Sequence, residues 1–170
     1  VVLAAGSNTA ADQPALALDA AHHAQKLDED THFPGRFVRL ARIDKVDAAL
    51  EDLTPDGHFR RATGALPYAR GDSPDFPGFK DGLVRNARVI ICTHEASEVL
   101  TAKTAAQVAL LVIDEAGQAT ELQAMMSLVH VVRSGGHLVL VGDPLQLPPT
   151  VLSPLARDRG LGVSIFERLQ

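Results

Sequence analysis

Two adjacent carboxylates, the pair Asp114–Glu115, directly follow the apolar run Leu110–Ile113. A second apolar run, His137–Val141, comes after a helix-length segment and leads into a polar turn that contains Asp143 and Gln146. Continuous apolar runs of this kind, bounded by Gly and Pro, are typical of parallel strands buried on both faces. Ligands of such sheets bind at the carboxyl ends of the strands, which is where these polar side chains fall.

An acidic pair at the end of a buried strand suits phosphoryl transfer. In phosphoryl-transfer ATPases, an aspartate at the end of such a strand holds Mg²⁺, and a neighbouring polar or acidic residue positions the attacking water. The alternative is that Asp114 and Glu115 only cap the next helix and charge its first turn, because acidic residues are common where helices start. The pair by itself leaves both interpretations open.

The surrounding residues resemble a known family. Asp114–Gln118 is similar to motif II of the Upf1-like superfamily 1 helicases, the group that includes senataxin, and Val141–Pro149 is similar to their motif III. The separation of one helix and one strand also matches. DEAD-box proteins share the Asp-Glu-Ala start but have a short third motif of the Ser-Ala-Thr type. The Gly-Asp-Pro-x-Gln-Leu run therefore disfavours that class.

This resemblance implies an α/β protein with the parallel sheet of a RecA-like P-loop NTPase, with ATP and Mg²⁺ as cofactors. It assigns Asp114 to Mg²⁺ and Glu115 to polarising the attacking water as a general base. Gln118 and Gln146 correspond to sensors of the γ-phosphate, and Asp143 corresponds to a nucleotide-binding position. Another class of P-loop ATPase is disfavoured by motif III.

Two further segments resemble nucleic-acid motifs of the same family. Gly6–Asp12 is similar to motif Ia, in which Ser7 and Asn8 match residues that touch the sugar-phosphate backbone of a bound single strand. Thr93–Ser97 is similar to motif Ic, with Thr93 as the matching hydroxyl. The resemblance therefore implies single-stranded RNA or DNA as a partner, together with a second RecA-like domain of the same parent chain.

Hydrophobic patterning predicts the elements that carry these motifs. Two further apolar runs predict strands at Val1–Ala5 and Arg88–Thr93. Asn8 or Thr9 is predicted to cap a helix that runs through about Leu27. The helix after Gln118 has helically spaced apolar side chains that we expect to be core: Leu122, Met125, Met126, Leu128, Val129 and Val132. At the end of the chain, Ser164 is predicted to cap a helix that packs through Phe166 and Leu169.

The middle third of the chain is less regular. Arg36–Arg42 alternates charged and apolar residues, which predicts a half-buried strand whose three arginines either line a nucleic-acid groove or lie on a solvated face. Lys45–Leu53 is predicted to form a short helix. The segments Thr54–Gly57 and Pro67–Gly82 are rich in Pro, Gly and Asp, which indicates turns. We therefore expect residues 44–82 to be a variable insertion within one RecA-like domain that spans residues 1–170.

Composition limits the possible classes. The chain has 170 residues and a mass of 18.1 kDa, 46% of its residues are hydrophobic, and its net charge is −5. The acidic balance gives no bulk attraction to nucleic acid, so any binding must be local. No apolar run is long enough to span a membrane. The single Cys92 excludes a disulfide framework and favours an intracellular setting, cytoplasmic or nuclear. The histidines His22, His23 and His32 are too few for a zinc site.

One expected motif is missing from the printed sequence. No Gly-x-x-x-x-Gly-Lys-Ser/Thr phosphate loop occurs, and the resemblance places it upstream of Val1, with the second motor domain after Gln170. We therefore expect a parent ATP-dependent helicase and no ATP hydrolysis by the 170 residues alone. The competing hypothesis is a non-catalytic binding or scaffold product that lacks the phosphate loop.

Overall fold

A five-stranded parallel sheet forms the centre of the chain. The structure is a computed structural model that describes residues 1–24, 37–68, 73–100, 107–143 and 145–170. The sheet has the order β2-β3-β1-β4-β5, and every neighbouring pair is parallel. Its strands are β1 (Val2–Ala5), β2 (Phe37–Leu40), β3 (Val89–Thr93), β4 (Leu110–Ile113) and β5 (His137–Leu140). The predicted α/β class with a parallel sheet is confirmed.

Helices connect these strands, as parallel pairing requires. They are α1 (Asn8–Ala24), α2 (Pro55–Thr63), α3 (Phe76–Asn86), α4 (Glu121–Ser134), α5 (Pro154–Asp158) and α6 (Ile165–Leu169). Short 3-10 turns lie at Ile43–Lys45, Ala48–Leu53 and Ala96–Val99. None of the helices within the described ranges combines the length and the apolar content that a membrane crossing demands.

The cap of α1 lies slightly earlier than the sequence predicted. Ser7 Oγ accepts a hydrogen bond from the Ala10 N–H at 3.1 Å, so Ser7 rather than Asn8 or Thr9 caps the helix. The predicted helix end near Leu27 lies outside the described residues. This cap leaves the side chain of Asn8 free for another contact.

The Pro- and Gly-rich middle of the chain is more helical than predicted. Thr54 Oγ1 accepts from the Gly57 N–H at 3.0 Å and caps α2, in which Pro55 occupies the first turn. Proline is tolerated there because the first helical N–H groups have no partner within the helix. The turn prediction for Thr54–Gly57 was therefore wrong, and the turn prediction for Pro67–Gly82 fails where α3 begins. That residues 44–82 are a variable insertion stays a prediction.

The helix predicted at Lys45–Leu53 is also different in the structure. Two 3-10 turns replace it, and Asp47 starts the second one by accepting from the Ala49 N–H at 2.9 Å. The aromatic ring of Phe59 on α2 then meets the edges of Phe76 and Phe79 on α3, with centroid distances of 5.3 and 5.2 Å. These contacts hold the middle segment as a packed pair of helices.

Two apolar clusters cover the two faces of the sheet, because successive strand residues point to opposite sides. The first cluster joins Ile90 and Leu111 to the inner side of α4, and the second joins Ile91 to α1 through Ala11. Cys92 is fully buried, and burial raises the pKa of its thiol to about 12. This thiol therefore stays protonated and inert at neutral pH.

The apolar side chains predicted as the core of α4 are mostly exposed. Leu122, Met125, Met126, Val129 and Val132 are between 38% and 74% exposed, and only Leu128 packs against the core. Smaller or polar residues face the sheet instead, namely Ala124, Ser127, His130 and Val131. Helical spacing identified an apolar stripe but could not tell that a second stripe of smaller side chains is the one that packs.

The C-terminal prediction is confirmed only in part. Ser164 caps α6 by accepting from the Glu167 N–H at 3.0 Å, and Phe166 packs against the core. Leu169, in contrast, is 65% exposed. A backbone bridge between Thr120 and Ser164 places this segment beside the start of α4.

Candidate functional site

The carboxyl ends of four neighbouring strands bring the predicted site residues to one edge of the sheet. Ala5 of β1 lies in register with Thr93, and Ala4 lies in register with Ile113 of β4, which pairs in turn with Leu140 of β5. The polar residues that follow these strands therefore lie along the edge in this order: Thr93; Ser7 and Asn8; Asp114 and Glu115; Asp143 and Gln146.

The acidic pair sits on a sharply turned backbone at the end of β4. The Asp114 N–H donates to the Ala4 carbonyl at 3.0 Å, and the Glu115 N–H donates to Asp114 Oδ1 at 3.0 Å. Glu115 has a φ of 52°, the one positive φ at a non-glycine residue among those described. A left-handed residue of this type costs about 1–2 kcal/mol. Backbone strain of this kind clusters at functional sites.

The acidic pair does not cap the following helix. Thr120 Oγ1 accepts from the Gln123 N–H at 3.3 Å, while Gln123 Oε1 accepts from the Thr120 N–H at 3.0 Å. This reciprocal capping box starts α4, and Glu121 supplies the acidic residue of its first turn. The alternative role of Asp114 and Glu115 as helix cap and first-turn charges is therefore excluded.

A glutamine joins the two acidic motifs. Gln118 Nε2 donates to Glu115 Oε2 at 3.0 Å and to Gln146 Oε1 at 3.2 Å. Asp143 shapes the second motif, because its Oδ1 accepts from the Leu145 N–H at 2.9 Å. The structure thus brings together the residues that the sequence assigned separately to motifs II and III.

Close backbone packing fixes the two motifs relative to each other. The Ala116 N–H donates to the Val141 carbonyl at 2.8 Å. A Cβ on Gly142 would lie 3.2 Å from Gly117 N and 3.3 Å from Ala116 N, which is tighter than an ordinary van der Waals contact. Glycine at position 142 therefore permits the two turns to meet.

The side chains at this sheet edge suit a Mg²⁺ ion that takes few protein carboxylates and completes its shell with water and a bound ligand. Among the described residues, no group of three or more His, Cys, Asp and Glu side chains converges on a metal position. Mg²⁺ commonly takes one or two protein carboxylates and completes its shell with water and substrate phosphates. Asp114 offers such a carboxylate at the strand end. Of the histidines considered for zinc, His32 and the side chain of His23 lie outside what the structure describes.

The two segments that resemble nucleic-acid motifs lie beside the acidic pair. Thr93 is 8% exposed, and its Oγ1 accepts from the Ala96 N–H at 3.2 Å. Ser7 uses its hydroxyl oxygen in the cap of α1. A hydroxyl that accepts a bond through its oxygen keeps its own proton for donation, so Ser7 and Thr93 can still donate to a phosphate.

The sequence missed the role of Arg39. Its side chain is fully buried, and Nε donates to Asp12 Oδ1 at 2.7 Å. All four residues of β2 are buried, so the prediction of a half-buried strand with Arg39 on a groove or a solvated face was wrong. Arg42, in contrast, is exposed and pairs with Asp44, while Arg36 lies outside the described residues. The usable signal was an arginine enclosed by Phe, Val and Leu.

A second buried polar group ties the loop after β3 to α4. His94 Nδ1 lies 3.0 Å from Ser127 Oγ, which donates to Ser97 Oγ at 3.2 Å, and Ser97 Oγ donates to the His94 carbonyl. Burial lowers the pKa of His94, which keeps the imidazole neutral. This network anchors the segment that begins with Thr93, and no sequence motif indicated it.

Comparisons with known proteins agree with this arrangement. The family described as AAA domain matches residues 71–154. The probable helicase MAGATAMA 3 of Arabidopsis thaliana is 30% identical over 174 residues, which covers 100% of this chain and 20% of that protein. The probable helicase senataxin of Mus musculus is 35% identical over 92 residues, covering 51% of the chain and 3% of the relative.

A third relative matches over a shorter stretch. The RNA helicase Mov10l1 of Mus musculus is 47% identical over 57 residues, covering 34% of the chain and 5% of that protein. The chain thus spans a fifth or less of the length of these relatives. From these matches and the motif geometry at the sheet edge, the chain belongs to the Upf1-like superfamily 1 helicases.

Proposed function

We propose that the intact protein is a helicase that couples ATP hydrolysis to movement along single-stranded RNA or DNA. The observation that carries this proposal is the hydrogen-bonded link from Glu115 through Gln118 to Gln146. It connects an acid at the end of β4 with a polar sensor at the end of β5. The same sheet edge continues directly into the Ser7 and Thr93 loops.

The carboxylates divide the work of phosphoryl transfer. Asp114 would hold Mg²⁺, which when bound neutralises charge that develops on the phosphates. Glu115 accepts from Gln118 through one oxygen, Oε2. Its other oxygen can then orient the attacking water and accept its proton. The Asp114 N–H donates to Ala4 of β1 and the Ala116 N–H donates to Val141 after β5, which holds the backbone of the acidic pair in place.

The hydrogen bond of Gln146 supports its proposed role as a phosphate sensor. Its Oε1 accepts from Gln118, so its NH₂ group lies on the other branch of the amide. A phosphate oxygen is an acceptor and matches that donor. Asp143, which we propose as a nucleotide-binding residue, uses one oxygen to shape the turn before Gln146.

Adjacent strands connect the ATP-binding half of the edge to the nucleic-acid half. The Asp114 N–H is bonded to Ala4 of β1, and β1 leads through Gly6 into Ser7 and Asn8. The His94 N–H is bonded to Ala5 of the same strand. A change in nucleotide state at Asp114 can thus alter the backbone loops that we propose to hold the single strand, which is what a translocating motor requires.

The test is nucleic-acid-stimulated ATP hydrolysis and strand unwinding by the intact protein. We expect both activities in the wild type and their loss in Asp114→Asn, while the matched surface control Asp158→Asn keeps them. The 170 residues alone contain no phosphate loop and are expected not to hydrolyse ATP. A wild-type protein without ATPase activity, whose partners still bind the Asp114→Asn variant, would instead support the scaffold alternative.

A further inference from the structure

A buried charged network lies behind the loop between β1 and α1. Arg39 on β2 is 0% exposed, and its Nε donates to Asp12 Oδ1 at 2.7 Å. Asp12, on the first turns of α1, is 7% exposed, and its Oδ2 accepts from the Asp47 N–H at 2.9 Å. An ion pair this deep is maintained only when further hydrogen bonds satisfy both partners.

The remaining donors of Arg39 reach the loop itself. Nη2 donates to the Asn8 carbonyl at 3.2 Å and to Asn8 Oδ1 at 3.0 Å, while Nη1 donates to the Leu40 carbonyl at 3.3 Å. The guanidinium therefore bridges Asp12, within α1, and Asn8, its first residue. Arg39 thus holds both the main-chain carbonyl and the side-chain amide oxygen of Asn8.

This contact determines which end of the Asn8 amide faces Arg39. A guanidinium has five N–H donors and no acceptor, so only the amide oxygen can face it. The NH₂ group of Asn8 must then lie on the opposite branch, and among the described residues it makes no hydrogen bond. A phosphodiester offers acceptors only, so this remaining NH₂ donor of the half-buried Asn8 is the kind of group that such a backbone requires.

We propose that Arg39 is a positioning residue that orients the Asn8 amide for donation to a phosphate of the bound single strand. This inference rests on the proposed function, because it takes the nucleic-acid backbone as the ligand of the loop. Arg39 itself, being fully buried, does not touch that ligand. It acts through Asn8.

The geometry specifically requires an arginine. Lysine would keep the positive charge near Asp12, but its compact ammonium lacks the planar fork that reaches Asp12 and Asn8 at once. Arg39→Lys should therefore leave Asn8 unoriented. Asn8→Asp is the complementary change, because the carboxylate still accepts from Arg39 but lacks the NH₂ donor and repels phosphate.

The experiment measures the Kd of the intact protein for a fluorescent single-stranded oligonucleotide, together with the kcat of ATP hydrolysis at saturating nucleic acid. We expect Arg39→Lys, Asn8→Ala and Asn8→Asp each to raise Kd about tenfold, as the loss of one hydrogen bond to a charged group implies. For Arg39→Lys, a change at a residue that does not touch the ligand, the kcat should stay within about twofold of the wild-type value. Arg60→Lys, which alters an arginine paired with Glu51 and Asp52 elsewhere, should change neither quantity.

A double substitution separates positioning from general stability. If Arg39 acts through Asn8, Arg39→Lys adds no further loss of binding in the Asn8→Ala background. Losses of affinity that multiply in the double variant would overturn the inference. If Arg39→Lys lowers stability, Asn8→Asp provides the test, because it keeps the Arg39 contact. Unchanged binding by Asn8→Asp would also overturn the inference. If the wild type binds the oligonucleotide and either contradicting outcome occurs, only the positioning role is refuted. If the wild type does not bind the oligonucleotide, the proposed function is refuted as well.

Discussion

The two halves of the sheet edge hold their polar side chains in different ways. On the half that we propose to bind nucleic acid, called the nucleic-acid half, Thr93 is almost fully buried and Asn8 accepts hydrogen bonds from the buried Arg39. On the half that we propose to bind ATP, called the ATP half, Gln118 links Glu115 to Gln146 through solvent-exposed hydrogen bonds. Buried hydrogen bonds are electrostatically stronger than solvated ones. The side chains of Thr93 and Asn8 should therefore be held more firmly than those of Glu115, Gln118 and Gln146.

The same contrast extends through the sheet. The central strands β1 and β3 are buried, whereas β5 forms an edge at which Leu138 and Val139 are 37% and 43% exposed. The exposed apolar face of α4 adjoins this strand in sequence. Stability of the chain should thus depend on the nucleic-acid side of the sheet, and activity should depend most sharply on the ATP side.

The largest effect is expected on the ATP half. Glu115→Gln removes the general base, so nucleic-acid-stimulated ATP hydrolysis by the intact protein should fall by about 10²–10⁴-fold. Gln118 can still contact a glutamine at position 115, so the fold should change little. Phosphate release measures the rate, and Glu98→Gln is the exposed control. A residual rate near the wild-type value would assign the proton transfer to another group.

The buried ion pair should dominate stability on the nucleic-acid half. Asp12→Ala leaves Arg39 charged and unpaired, which should lower the free energy of unfolding by about 3–5 kcal/mol. The matched change Asp44→Ala breaks the exposed pair with Arg42 and should cost at most about 1 kcal/mol.

Urea denaturation followed by circular dichroism measures both losses. Equal values for Asp12→Ala and Asp44→Ala would mean that burial does not distinguish the two pairs. That result would remove the physical basis for contrasting the two halves of the edge.

How far the sequence predicted the molecule depends on what each feature requires. The strands of the sheet, the acidic pair at the end of β4 and the family were legible because apolar runs and motif spacing are local properties. The middle segment was misjudged because Pro and Gly mark both turns and helix starts. Thr54–Gly57 shows this ambiguity, because its Pro and Gly lie in the capped start of α2 and not in a turn.

The other features that the sequence did not predict depend on how distant parts of the chain pack together. No local pattern states that Arg39 meets Asp12 across 27 positions of the chain, or that His94 meets Ser127 across 33. The outer face of α4 was misjudged because its larger apolar residues point away from the sheet. The roles of the site residues in binding and catalysis stay predictions.

Core substitutions should reproduce the contrast between strands. Ile91→Ala on β3, where the side chain is 1% exposed, should cost about 2–5 kcal/mol through lost burial and a cavity. Val139→Ala on the exposed β5 should cost less than about 1 kcal/mol, because its side chain is only partly removed from water. The midpoint of urea unfolding compares the two variants. Similar shifts would show that β5 is covered in solution.

The smallest effect concerns pH and the neutral His94. Burial lowers the pKa of His94 below its ordinary value of 6.5, and the charge of Glu95 opposes that shift without reversing it. Below pH 6.5 the unfolded chain therefore binds a proton that the folded chain resists, so stability is complete above this pH and declines as the pH falls towards the folded pKa. His58 and His130 are lowered in the same direction and add to the decline.

His94→Gln separates the contribution of this one imidazole. Glutamine can still hydrogen-bond to Ser127 but does not titrate, so the free energy of unfolding should fall less steeply between pH 7 and pH 5 than in the wild type. Parallel urea titrations across that range measure the difference. An unchanged slope would assign the acid sensitivity to His58 and His130, and would mean that the anchor beneath Thr93 keeps its hydrogen bonds when His94 is protonated.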